Sequence, residues 1–134
     1  MEHERIEVVA GAGIKGDRYF ARHEEPGQNI TLIEGEEIEA FLTEYGRAYD
    51  LSITNRNLVT RGVRLNQLMG REFLVGDVRL RGVDLCEPCR RLGRALASPE
   101  LSAPAGVKRL LHRAGLRADV LSTGTITRGV ILTI

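Results

Sequence analysis

Two cysteines stand three apart in the run Leu85-Cys86-Glu87-Pro88-Cys89-Arg90-Arg91-Leu92. The run lies between a strand-like apolar segment and a basic, helix-like one. A thiolate near a helix N-terminus and several arginines has a lowered pKa and is reactive. Cys89 is the candidate nucleophile, because Pro88 fixes the backbone before it and Arg90 and Arg91 favour its thiolate. The dyad admits four readings. Buried free cysteines are common and inert. A thioredoxin-like dithiol needs the dyad at a helix start after a strand, and that local context is met, although no regular βαβ succession surrounds it. A structural zinc site needs about four protein ligands, and only His3, His23 and His112 could complete one, none of them spaced as a pair. The fourth reading is a single nucleophilic or sulfur-carrying thiol.

Two further blocks carry chemistry. Ile14-Lys15-Gly16-Asp17-Arg18 is a glycine-containing turn with a cation, an anion and a second cation. Such a turn can aim backbone N–H groups and Lys15 or Arg18 at an oxyanion. It lacks the glycine and Lys-Ser/Thr spacing of a P-loop, and alone it reads as a surface turn in which Asp17 pairs with a neighbouring cation. Arg56-Asn57, followed by Leu58-Val59, could place a guanidinium and an amide at a strand entrance. The planar fork of arginine suits phosphate. The structural alternative is an Asn57 that bonds its own turn. His112, between Leu111 and Arg113, reads as ordinary surface or core packing. No G-x-S-x-G nucleophile elbow is present.

The elements that must position these blocks follow from periodicity. Ile6 to Ala10 and Ile30 to Ile33 read as strands. Ile38, Phe41, Leu42 and Tyr45 fall at helical spacing within Glu36–Tyr45, with Gly46 as the stop. Val63 and Leu65 alternate with Arg64, and Phe73-Leu74-Val75 ends at a Gly76-Asp77 hairpin turn. Along Val78–Leu85 the apolar face switches midway, which leaves the inward side ambiguous. Pro88 can begin a helix. Ser98 to Gly106, with two prolines, reads as a loop, and Val107 to Ala114 as a short helix stopped by Gly115. Ala118 to Leu121 and Val130 to Ile134 read as closing strands. Many short strands with a few short helices imply a mixed α/β, β-rich, barrel-like domain.

Bulk composition narrows the function classes. At 134 residues the chain is expected to form one domain, residues 1–134, with a core that needs neither disulfide nor metal. There is no Trp and aromatics are 4% of residues, so base-stacking platforms and nucleic-acid partners are not expected. No apolar run suits a membrane span. The N-terminus lacks an apolar signal core, so a cytoplasmic protein with reduced thiols is expected. The net charge of +1 hides an asymmetry: residues 51–82 and 86–117 hold the basic excess, around the second and third blocks. A focused positive field there favours a phosphate-bearing or otherwise anionic ligand.

Taken in order, the blocks resemble a MOSC domain, named for the C-terminal part of molybdenum cofactor sulfurase. The resemblance begins at Gly13-Ile14-Lys15-Gly16-Asp17-Arg18 and continues through Gln28 to Ile33. It is strongest in Arg56-Asn57-Leu58-Val59-Thr60-Arg61-Gly62-Val63-Arg64-Leu65-Asn66 and Leu68-x-Gly70. It then takes in Phe73-x-Val75-Gly76, Leu85-Cys86-Glu87-Pro88-Cys89, and Gly106 to Leu121 with Gly124-x-Ile126. Gly27-Gln28 stands where the family often has Arg-Gln, and Arg128-Gly129-Val130 where relatives often have Gly-Asp. The resemblance implies a β-rich barrel with Cys89 in a cleft and Cys86 as an accessory thiol. It implies sulfur transfer through a cysteine persulfide, or handling of a molybdenum cofactor (molybdopterin) with Cys89 as a molybdenum ligand. Lys15, Asp17, Arg18, Arg56 and Asn57 would line the pocket of an anionic pterin ligand. A cysteine desulfurase or a molybdoenzyme would be the partner. Pyridoxal phosphate would belong to a desulfurase domain, for which this chain has no room. The rivals are a non-catalytic module that carries the cofactor to a partner enzyme, and a Cys86–Cys89 dithiol redox protein.

Overall fold

Alternating apolar residues generate short strands, and the computed structural model describes them over residues 5–17, 20–21, 27–88 and 90–134. In chain order these are β1 (Arg5–Val9), β2 (Gly13–Ile14), β3 (Ile30–Glu34), β4 (Leu58–Thr60), β5 (Glu72–Val75), β6 (Val78–Leu85), β7 (Leu116–Val120), β8 (Gly124–Thr127) and β9 (Leu132–Thr133). A small sheet has the order β2-β1-β8, and a larger one the order β4-β3-β7-β6-β5-β9. The β3–β4 pair is parallel; the other pairs are antiparallel. The small sheet curls over one face of the large one, and Gly11 N–H donates to Val120 O at 2.8 Å to join them. The result is the expected mixed, strand-rich, barrel-like fold.

Two apolar cores form, one on each side of the large sheet. The barrel core takes Val8 and Ile126 from the small sheet, and Leu32, Phe73, Leu80 and Leu116 from the large one. Leu65 and Leu68, on a one-turn 3-10 helix (Leu65–Leu68), complete it. The outer core packs Ile33 against α1 (Gly35–Glu44), α2 (Arg90–Leu96) and α3 (Ala103–Arg109), through Ile38, Phe41, Leu92 and Leu110. β3 serves both cores, because successive strand residues point to opposite faces: Leu32 enters the barrel and Ile33 the helical layer.

Several elements differ from expectation for identifiable reasons. α3 begins at Ala103 inside the expected loop, because Pro104 is tolerated in a first helical turn and the Ser102 hydroxyl caps it from Ala105 N at 3.3 Å. It ends at Arg109, and residues 110–114 turn back toward the sheet. Arg64–Leu65 does not continue as a strand, since Leu65 and Leu68 enter the barrel from the 3-10 turn. The Val130–Ile134 strand shrinks to Leu132–Thr133, and Gly124–Thr127 supplies the additional strand β8. Helix α2 starts at Arg90 rather than at Pro88.

The face switch in β6 has a structural cause. Gly82 pairs with Ala118 and Asp84 with Arg117, so Val83 is an extra residue, a β-bulge. Val78, Leu80 and Gly82 point into the barrel, the bulge resets the alternation, and Leu85 again packs on the barrel core. Asp84 faces outward.

Candidate functional site

The outward face of the large sheet carries a polar row. Register aligns Thr31 with Arg117 and Arg117 with Asp84. The Arg117 guanidinium forks the Asp84 carboxylate, Nε to Oδ1 at 2.7 Å and Nη2 to Oδ2 at 2.9 Å. At the strand beside Thr31, Asn57 Oδ1 accepts from Thr31 N at 2.8 Å and from its hydroxyl at 3.0 Å, and Asn57 N–H donates back to the same hydroxyl at 3.0 Å. Asn57 therefore bonds across to the neighbouring strand, not within its own turn, and its carbonyl oxygen is committed to holding β4 against β3.

Cys86 follows the bulge at the end of β6. Its N–H donates to Gly115 O at 2.8 Å, and its thiol is free and buried, with 7% of the residue exposed. Burial pushes the thiol pKa up; the nearby Arg56 and Arg117 charges partly oppose this, while Asp84 adds to it. A neutral, covered thiol is a poor nucleophile. Because the folded thiol titrates above the unfolded one, its contribution to stability is intact below the ordinary thiol range and is lost as pH rises through the raised value. Arg56 donates from Nε to Ala114 O at 2.8 Å, which holds its charge over this corner. Arg56→Gln is expected to move the Cys86 titration further up, read as the pH dependence of its alkylation by site-resolved mass spectrometry. An unmoved profile would show that the Arg56 charge does not reach the thiol.

Glu87 and His112 join the cysteine segment to the turn before β7. The Glu87 carboxylate accepts from His112 N at 2.9 Å through Oε1 and contacts His112 Nδ1 at 2.9 Å through Oε2. Asn66 Nδ2 donates to His112 O at 3.0 Å. His112 is a surface residue, as expected, and it carries the contact that ties the cysteine segment to this turn. Its backbone is left-handed, with φ at +63°. His112, Asn66 and Gly115 also line a polar cleft of about 690 Å³, together with Glu34 and Glu37. Burial raises the Glu34 pKa, against a hydrogen bond from Leu65 N that lowers it.

The MOSC domain family model matches residues 20–133. The chain belongs to the MOSC domain family. The fold of this MOSC domain is similar to the crystal structure of the YuaD protein from Bacillus subtilis, with a TM-score of 0.82 at 20% identity over 98% of this chain and 85% of that one. It is similar also to YiiM from Escherichia coli, with a TM-score of 0.69 at 16% identity over 96% of this chain and 61% of that one. For YiiM from Geobacillus stearothermophilus the TM-score is 0.66 at 21% identity, over 78% of this chain and 53% of that one. The MOSC domain thus spans little more than half the length of the YiiM chains. No curated protein matches it in sequence.

Within the MOSC domain the blocks meet unevenly. Arg56 is brought to Cys86 and Asn57 to the adjoining strand pair. Lys15 and Asp17 lie on the other sheet, just past β2; Lys15 N donates to Glu7 O at 2.9 Å and Asp17 N to Ile14 O at 3.1 Å. Arg18 and Cys89 fall outside the described residues. Arg117, Asp84, Glu87 and His112 were not singled out from sequence as site residues. Among the described residues no group of three or more His, Cys, Asp and Glu side chains is placed to hold a metal; His3, His23 and Cys89, of the zinc reading, lie outside them. No helix among them is long and apolar enough to cross a membrane.

Proposed function

We propose that this MOSC domain carries sulfane sulfur as a persulfide on Cys89 and passes it to an acceptor. What supports the reading is the Arg56 guanidinium, fixed by its hydrogen bond to Ala114 O beside the strand end that leads into the cysteine segment, with the paired charges of Arg117 and Asp84 next to it. Positive charge beside a thiol stabilises its thiolate and, equally, a persulfide anion. Cys86 is buried and neutral and so stands apart from this chemistry, which leaves Cys89 as the sulfur-bearing residue. A cysteine desulfurase would be the donor and a molybdoenzyme the acceptor. The chemistry needs reduced thiols, which suits the cytoplasm.

The MOSC family is associated with molybdenum cofactor binding, and the residues of this corner fit such a group in kind. Arg56 would hold its phosphate. The Gln28 carbonyl oxygen is buried without a hydrogen-bond partner among the described residues and would accept an N–H of the pterin. When bound, the group would supply a molybdenum centre for which Cys89 is the candidate thiolate ligand.

Mass spectrometry of the protein after incubation with a cysteine desulfurase and cysteine tests the reading. The expected result is a mass gain of one sulfur that maps to Cys89, is removed by mild reduction, and is lost completely in Cys89→Ser while the fold is kept. A sulfur adduct that persists in Cys89→Ser refutes it.

A further inference from the structure

We propose that the cleft at the Glu34 end of the barrel binds a small zwitterion, a free amino acid or a short peptide, holding its ammonium on Glu34 and Glu37 and its carboxylate on Arg64 and Arg113.

The cleft has a volume of about 690 Å³, inside the range of about 300–1,000 Å³ usual for small-molecule sites. Two carboxylates and two guanidiniums line it, with the exposed Leu111 beside them. Four separate parts of the chain supply these charges. Glu34 ends β3, Glu37 stands in the first turn of α1, Arg64 precedes the 3-10 helix, and Arg113 lies in the turn before β7. Arg56, Asn57 and Cys86 do not line the cleft, so it can be filled whether or not the cysteine segment carries sulfur.

The two signs do not cancel each other. Among the described residues the ion pairs are made by Arg61, Arg79, Arg109, His112 and Arg117, which leaves the side chains of Arg64 and Arg113 free to donate to a ligand. On the acidic side, Glu34 accepts from Leu65 N at 3.3 Å through one oxygen only. Burial raises its pKa, the Leu65 hydrogen bond works against this, and the nearby Glu37 charge raises it further. Two carboxylates that repel each other, one of them partly dehydrated, are stabilised by an ammonium placed between them. Asn66 donates through Nδ2 to His112 O at 3.0 Å, which fixes the amide and leaves its Oδ1 as a neutral acceptor. A simple anion would meet Glu34 and Glu37, and a simple cation would meet the guanidiniums. Only a molecule with both charges satisfies both sets, with each guanidinium forking a carboxylate. Leu111, 44% exposed, offers apolar contact to a ligand side chain.

Isothermal titration of the whole chain at neutral pH is the test. The probes are leucine and trileucine, each compared with its C-terminal amide and its N-acetyl derivative. At least one parent is expected to bind, and loss of either end charge is expected to weaken it about tenfold or more, since each end makes charge-assisted hydrogen bonds. Tighter binding of leucine assigns the cleft to free amino acids, and tighter binding of trileucine assigns it to short peptides. Glu37→Gln should weaken the parent about tenfold and leave the N-acetyl derivative unchanged. Arg113→Gln should weaken the parent equally and spare the amide, and Arg64→Gln repeats that result from the other guanidinium. None of the three side chains belongs to either apolar core, so unfolding midpoints are expected to stay as in the wild type. No binding of either parent up to roughly 10 mM, or an amide or N-acetyl derivative that binds as tightly as its parent, overturns the zwitterion site. Binding that none of the substitutions weakens overturns its placement in this cleft.

Discussion

Replacing Gly115 with alanine is expected to remove about 4 kcal/mol or more of stability, measured as the loss of midpoint in urea unfolding. Gly115 has φ at +112°, and a Cβ there would stand 2.1 Å from Leu32 O and 3.1 Å from Leu32 C. Both are backbone atoms of β3, which is held on its two sides by β4 and β7 and cannot give way. The same glycine accepts the Cys86 N–H, so any residual folded population should also show a displaced cysteine segment. Gly46→Ala is the matching control. Gly46 also has a positive φ, at +61°, but nothing lies within 4 Å of its missing Cβ. That substitution should cost only about 1 kcal/mol, from backbone strain alone. Equal losses at the two positions would mean that conformation, and not the contact with Leu32, makes Gly115 necessary.

Phe73→Ala should cost about 4 kcal/mol, seen as a fall of roughly 10–20 °C in unfolding temperature. Phe73 is 2% exposed and pairs across β5 and β6 with Leu80, which is fully buried. It is the only aromatic residue in the barrel core as described; its neighbours there are aliphatic and, apart from Leu65 and Leu68 on the 3-10 turn, sit on or beside hydrogen-bonded strands of both sheets. Strands fixed in this way cannot collapse into the space left by a ring, so the cavity term is retained nearly in full. Phe41→Ala should cost less. Phe41 is equally buried, but it lies in the helical layer, where the Tyr45 ring, tilted by 47°, has its centre 4.9 Å away and the Arg47 guanidinium lies 5.6 Å from its ring centre, so both can shift toward the void. A larger loss at Phe41 than at Phe73 would reverse the assignment of the barrel as the stiffer core.

Much of the architecture was legible because it is local. The helix at Ile38, Phe41 and Leu42 announces itself by spacing, and the β5–β6 hairpin by Gly76-Asp77 between alternating runs. The MOSC blocks were legible as ordered motifs. The remaining differences involve pairings between distant residues. Asp84 and Arg117 are 33 positions apart, and Glu87 and His112 are 25 apart; neither pair has a short-range signature. His112 looked ordinary because nothing in Leu111-His112-Arg113 signals a left-handed turn. Asn57 looked like a ligand or a self-bonding turn residue because its partner, Thr31, is one strand away. Pro104 read as a loop residue, although one position from a serine cap it starts a helix equally well. The ambiguity along Val78–Leu85 was itself informative: the alternation fails at the residue where the bulge falls.

That one added residue works as a change of parity. In an unbroken strand running from Val78, the even-numbered positions would all have faced the barrel core, and Asp84 and Cys86 are even-numbered. With Val83 inserted, every later side chain changes sides: Asp84 turns outward to Arg117, and Leu85 turns into the barrel core. Gaining or losing a single residue in this strand would therefore exchange the two faces for everything downstream of it, without altering the identity of any group.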